Sequence, residues 1–107
     1  MAGIEVGEGH NGGTISAKVG DQINIRLPEN PTTGFQWRAQ PGDRAVVELQ
    51  SDQFLPAAAG AVGSGGVRSL QYQVRGAGNT SIALDHQRSW ETGPPRSQFK
   101  IEVRVSP

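Results

Sequence analysis

Hydrophobic residues recur along this chain with a period of two. Ile23, Ile25 and Leu27 fall on one side of the backbone, and Gln22, Asn24 and Arg26 on the other. Phe35, Trp37 and Ala39 alternate with Gln36 and Arg38. Leu70, Tyr72 and Val74 alternate with Ser69, Gln71 and Gln73. Thr80, Ile82 and Leu84 repeat the pattern, as do Phe99, Ile101, Val103 and Val105 against Lys100, Glu102 and Arg104. Successive side chains of a strand point to opposite faces, so the alternation marks strands with one buried and one wet face. It predicts seven or eight of them: Ile4–Val6 (the weakest), Thr14–Val19, Gln22–Leu27, Phe35–Gln40, Ala45–Phe54, Val67–Arg75, Thr80–His86 and Gln98–Val105. No window carries a helical period. Pro56–Ala61 is too short and too broken by glycine to be more than a turn.

Turn-forming residues separate these segments: Gly20-Asp21, Pro41-Gly42-Asp43, Gly76-Ala77-Gly78-Asn79 and Gly93-Pro94-Pro95. Short, regularly spaced strands with polar turns imply an all-β fold, an antiparallel β-sandwich, with a closed barrel as the alternative. The chain has 107 residues. A chain of this size hides roughly 65% of its unfolded surface, enough for one core but not two. A single domain over 1–107 is therefore expected, with 1–12 as a flexible lead-in.

Composition removes several function classes. There is no cysteine, hence no disulfide framework, no thiolate metal site and no cysteine nucleophile. Ten basic side chains balance ten acidic ones, and no basic stripe stands out, so no nucleic-acid partner is expected. No apolar run approaches the length of a membrane span. The opening MAGIEVGEGHNGG holds neither a charged n-region nor an apolar h-region, so no signal peptide is expected within it. No cofactor or metal is expected either. His10 and His86 lack the paired-ligand spacing of a metal site. Ser81, Asp85 and His86 supply the residue types of a catalytic triad but lie on one strand, where neighbours face opposite ways, and no nucleophile elbow is present. The chain is expected not to be an enzyme. Asn79-Thr80-Ser81 has the form of a glycosylation sequon, for which chance occurrence is the default.

Three connections exceed what a hairpin needs: Pro28–Gly34, Leu55–Gly66 and Gln87–Arg96. Long loops add closure entropy without adding core, and on a rigid scaffold they are where binding sites sit. In the first, Pro31 fixes its own φ and holds Asn30 extended, while Gly34 can take a positive φ. The result is a stiff tip bearing Thr32 and Thr33. In the second, Gly63, Gly65 and Gly66 lack side chains and let another backbone approach. A strand follows rather than a helix, which argues against a phosphate cradle. In the third, Trp90 stands among polar and turn residues, a favoured position for an interface anchor. Trp37 shares a strand face with Phe35 and belongs to the core.

Asn30-Pro31-Thr32-Thr33-Gly34-Phe35, then Gly63-Ser64-Gly65-Gly66, then Arg88-Ser89-Trp90, occur in that order at the mouths of strands. This series resembles the three loop motifs of the chagasin-type inhibitors of cysteine peptidases, over a stretch from about Gly13 to Val105. The resemblance implies an immunoglobulin-like β-sandwich whose three loops form a wedge at one end. It implies reversible, tight binding to papain-like cysteine peptidases, with the wedge plugging the active-site cleft. Thr32 and Thr33 would lie nearest the enzyme's catalytic cysteine. Gly63–Gly66 would lie along the non-primed side and offer mainly backbone. Arg88 and Trp90 would pack on the primed side. The family commonly has a proline where Ser89 stands; serine frees a φ angle and adds an N–H. The resemblance is compatible with an extracytoplasmic site. A monomer is expected, since no strand reads as a long apolar edge. Arg68, Arg88 and Arg96 near the wedge are candidates for steering toward acidic cleft rims. The alternative function is a β-sandwich binding or adhesion module for another protein or a glycan. Sugar binding would call for a platform of exposed aromatics, and the chain has two Trp, one Tyr and three Phe in all.

Overall fold

The alternating faces close on each other as two four-stranded sheets. The computed structural model describes residues 3–30, 33–56, 65–88, 90 and 93–107. Its strands are β1 (Gly3–Val6), β2 (Thr14–Lys18), β3 (Gln22–Glu29), β4 (Phe35–Ala39), β5 (Val47–Pro56), β6 (Gly66–Val74), β7 (Gly78–Arg88) and β8 (Ser97–Ser106). One sheet has the order β1-β3-β6-β5 and the other β2-β8-β7-β4. Within 1–12, Gly3–Val6 pairs with β3 and Glu8–His10 forms a 3-10 turn that leads across to the second sheet. The turn expected at Pro56–Ala61 lies, from residue 57 on, outside the described residues.

The periodicity explains the core. Ile23, Ile25 and Leu27 of β3, with Leu70, Tyr72 and Val74 of β6, line the inner face of the first sheet. Ile82 and Leu84 of β7 face them from the second sheet, with Phe99, Ile101 and Val103 of β8. Each such side chain contributes about 1.5–3 kcal/mol when removed from water. Trp37 joins this core. Burial drives the Tyr72 phenol up to about 12.

The expected sandwich forms, antiparallel except at two edge pairings. β1 runs parallel to β3, and β2 runs parallel to β8. Alternation reveals which face a residue lies on but not the direction of the neighbouring strand. The chain crosses between sheets after β1 and again after β2, so neither is returned by a hairpin. The remaining pairings, β3 with β6, β5 with β6, β4 with β7 and β7 with β8, are antiparallel.

This topology gathers the three long connections. β3, β5 and β7 run one way, and β4, β6 and β8 return. The links between them, 30–34, 57–65 and 89–96, therefore leave the same end of the sandwich. They are shorter than the sequence suggests because β3 continues to Glu29, β6 begins at Gly66 and β7 continues to Arg88.

Candidate functional site

The first connection is stiffened by its own turn. The Thr33 backbone N–H donates to the Asn30 carbonyl at 3.2 Å, and the Thr33 hydroxyl donates to the same carbonyl at 2.8 Å. That hydroxyl accepts in turn from the Phe35 N–H at 3.3 Å. A threonine capping its own turn in this way removes freedom that binding would otherwise have to remove. Gly34 has φ +80°, in the left-handed region. A Cβ there would collide with Trp90 Cη2 and lie 3.0 Å from Cζ2. The six-membered ring of Trp90 thus rests on the bare backbone of Gly34, while the residue as a whole stays 68% exposed.

The third connection is fastened to the first. Arg88 Nε–H donates to the Thr33 carbonyl at 3.0 Å. Its guanidinium stands 4.4 Å from the Phe35 ring centre and 5.8 Å from that of Trp90. Arg96 approaches Phe35 at 4.9 Å. Such cation–π contacts are worth about 0.5–1 kcal/mol each where exposed. The second connection meets the first at Gly65, with φ +76°, where a Cβ would stand 2.9 Å from the Glu29 carbonyl and 3.1 Å from Asn30 Cα. A side chain on Gly66 would collide with the Leu55 carbonyl.

Beneath the loops lies a buried ion pair. The Glu29 side chain is 1% exposed, and that of Arg68 is 15% exposed. Arg68 Nη2 donates to Glu29 Oε2 at 2.6 Å, and Arg68 Nε lies 3.1 and 3.2 Å from the two carboxylate oxygens. The Trp37 N–H donates to Glu29 Oε1 at 2.7 Å, and Trp37 Nε1–H to the Pro28 carbonyl at 3.0 Å. Arg68 Nη1 also reaches Asp52 Oδ1 at 3.3 Å. The hydrogen bond to Glu29 raises the Arg68 pKa above its ordinary value, against the opposing effect of burial.

His86 of β7 completes the base. Its ring stacks on Trp37 at 4.5 Å and tilts against Phe35 at 5.3 Å. Nδ1 lies 3.4 Å from the Ser97 hydroxyl, and Nε2 is buried with no hydrogen-bond partner among the described residues. Burial lowers the His86 pKa, helped by Arg96 and opposed by Glu29. The unfolded chain therefore takes up this proton more readily than the folded one. The stability that neutral His86 contributes is present above pH about 6.5 and declines as pH falls through the lowered folded value. A His86→Phe variant is expected to lose that decline, measured as denaturation midpoints from pH 7.5 to 5.

Known proteins share this fold and resemble this chain along most of its length. A family model described as chagasin family peptidase inhibitor I42 matches residues 16–104. The chain belongs to the chagasin family of peptidase inhibitors. Chagasin of Trypanosoma cruzi is 31% identical over 103 residues, covering 92% of this chain and 93% of its own length. Amoebiasin-2 of Entamoeba histolytica is 32% identical over 95 residues, covering 85% of this chain and 77% of its own length. The crystal structure of the cysteine protease inhibitor EhICP2 from Entamoeba histolytica superposes with TM-score 0.87 at 28% identity. That match covers 99% of this chain and 97% of the other. As a family of inhibitors, these relatives agree with the expectation that the chain is not an enzyme.

Of the motif residues of this chagasin-family inhibitor, Asn30, Thr33, Gly34, Phe35, Gly65, Gly66, Arg88 and Trp90 lie together at the loop end. Pro31, Thr32, Gly63, Ser64 and Ser89 lie outside the described residues. Arg68, expected as a steering cation, is instead committed to Glu29 inside the fold. Sequence reasoning missed this pair, although a signal for it exists. Glu29 continues the inward series Ile23, Ile25, Leu27, and Arg68 precedes Leu70, Tyr72, Val74 in the same register. A charge on each of two inward faces, diagonal across one ladder, points to a buried pair.

Proposed function

We propose that this protein is a reversible, tight-binding, competitive inhibitor of papain-like cysteine peptidases, acting through the three loops as a wedge. The observation that carries the reading is the tying of the loops into one edge. Trp90 rests on Gly34, Arg88 holds the Thr33 carbonyl, and Gly65 abuts Asn30. Family membership supplies the class of target, and relatives named as cysteine protease inhibitors support it.

The chemistry suits inhibition without cleavage. A cysteine peptidase cuts only a carbonyl aligned with its thiolate. A preorganised tip that fills the cleft out of that alignment binds and stays intact. Thr33 has its hydroxyl engaged within the turn, so its role is to hold the tip in shape and leave Thr32 to meet the catalytic cysteine. Gly63–Gly66 run along the non-primed side through backbone contacts. Arg88 and Trp90 pack on the primed side, with Trp90 as the aromatic anchor. Three loops of this kind bury about 800 Å² per partner, the usual size for protease–inhibitor pairs. A stiff edge loses little entropy on binding and favours slow dissociation.

Titration of active papain with the purified protein, read by hydrolysis of a fluorogenic peptide, tests this directly. Stoichiometric, reversible loss of activity with the inhibitor intact on a gel is expected. No loss at micromolar inhibitor refutes the reading for papain. Thr32→Arg combined with Trp90→Ala is expected to weaken inhibition about 30-fold, the effect of losing one anchor-sized contribution. An unchanged inhibition constant would sink the wedge model.

A further inference from the structure

We propose that the buried Glu29–Arg68 pair is a positioning element of the wedge, fixing the first and second loops relative to each other. The inference rests on the inhibitory function proposed above. Glu29 is the last residue of β3, immediately before the first loop, and Arg68 is the third residue of β6, the strand that leaves the second. A single carboxylate at the end of β3 therefore receives donors from two strands: the Trp37 N–H from β4, which leaves the first loop, and Arg68 Nε and Nη2 from β6, which leaves the second. Arg68 extends the link to Asp52 on β5, the strand that enters the second loop. Both sides of the first loop and both sides of the second thus meet at one side-chain cluster.

Stability alone does not account for this arrangement. A buried ion pair costs much desolvation, and replacing such a pair by neutral groups of similar volume is often neutral or stabilising. What the pair supplies is direction. A guanidinium fork on a carboxylate fixes distance and angle together, which apolar contacts do not. The spacing between loops is what a rigid wedge must match to a rigid cleft, and a small misplacement acts on the complex more than on the free inhibitor.

The test compares Glu29→Gln/Arg68→Met with the wild-type protein and with Val103→Ala, a core substitution in β8. In the double variant the introduced amide oxygen keeps an acceptor for the Trp37 N–H, and no charge is left buried. The thermal midpoint of the double variant is expected to stay within about 5 °C of wild type. Its dissociation from papain is expected to quicken roughly tenfold or more, with association little changed. Val103→Ala is expected to lower the midpoint while keeping the wild-type dissociation rate, separating loop placement from stability. Arg68→Lys, which keeps the charge but loses the fork, is expected to fall between, and it decides the matter if the double variant does not fold. A folded double variant, or failing that Arg68→Lys, dissociating at the wild-type rate would overturn the inference. Absence of inhibition by the wild-type protein would instead remove the proposed function on which it rests.

Discussion

Arg68→Ala is expected to destabilise the protein by about 3–5 kcal/mol, the penalty for leaving one half of a buried pair alone. The Glu29 side chain is 1% exposed and is met by Arg68 at 2.6 Å. With Arg68 cut back to Ala, the carboxylate retains the Trp37 N–H and loses both arms of the guanidinium fork. Asp52 loses its partner too, but it is more exposed and water replaces the contact at little cost. For a domain of this size the thermal midpoint is expected to fall by roughly 15 °C or more. Scanning calorimetry at pH 7 checks it, and a fall of only a few degrees would show that water reaches the carboxylate. The contrast with the neutralising double variant is informative. Removing one charge is costly, whereas removing both is not, because the penalty belongs to the orphaned ion rather than to the missing contact.

Gly34→Val is expected to weaken inhibition on the order of 100-fold, about 3 kcal/mol, while leaving the sandwich folded. Two effects act together. At φ +80° a β-branched residue is strained by about 1–3 kcal/mol. Its Cβ would also occupy the position of the Trp90 ring. Either the ring is displaced or the turn opens. Opening the turn breaks the hydrogen bonds that the Thr33 hydroxyl makes within the loop. In both cases the anchor and the tip lose their mutual placement, which removes interactions spread over two of the three loops. Inhibition constants against papain, with the circular dichroism of the free protein as the folding check, measure it. Wild-type affinity in the folded variant would mean that Trp90 does not bind in the place it occupies in the free inhibitor.

Much of the fold is legible in the chain because burial writes itself into alternation. Phe99, Ile101, Val103 and Val105 face one way in the sequence pattern and one way in the structure. The eight expected segments correspond to the eight strands, with differences at the ends. Those differences have a cause. The pattern ends β3 at Leu27 because Pro28 and Glu29 read as turn residues, yet the ladder continues to Glu29 opposite Gly66. An internal partner, Arg68, lets a carboxylate occupy an inward position that composition assigns to the loop. The candidate site is legible in a different way. Long connections, a glycine before Phe35 and a tryptophan among turn residues mark the three loops without saying that they meet.

The local sequence by itself determined which residues face inward, where the chain turns and which motifs the three loops carry, because these depend on neighbours a few positions apart. Only the tertiary structure decided the parallel edges, the Glu29–Arg68 pair and the seat of Trp90 on Gly34. Each joins positions that are distant along the chain and chosen by strand order. Alternation constrains faces but leaves open which strand lies next to which, so these contacts are fixed only when two whole sheets bury their faces against each other.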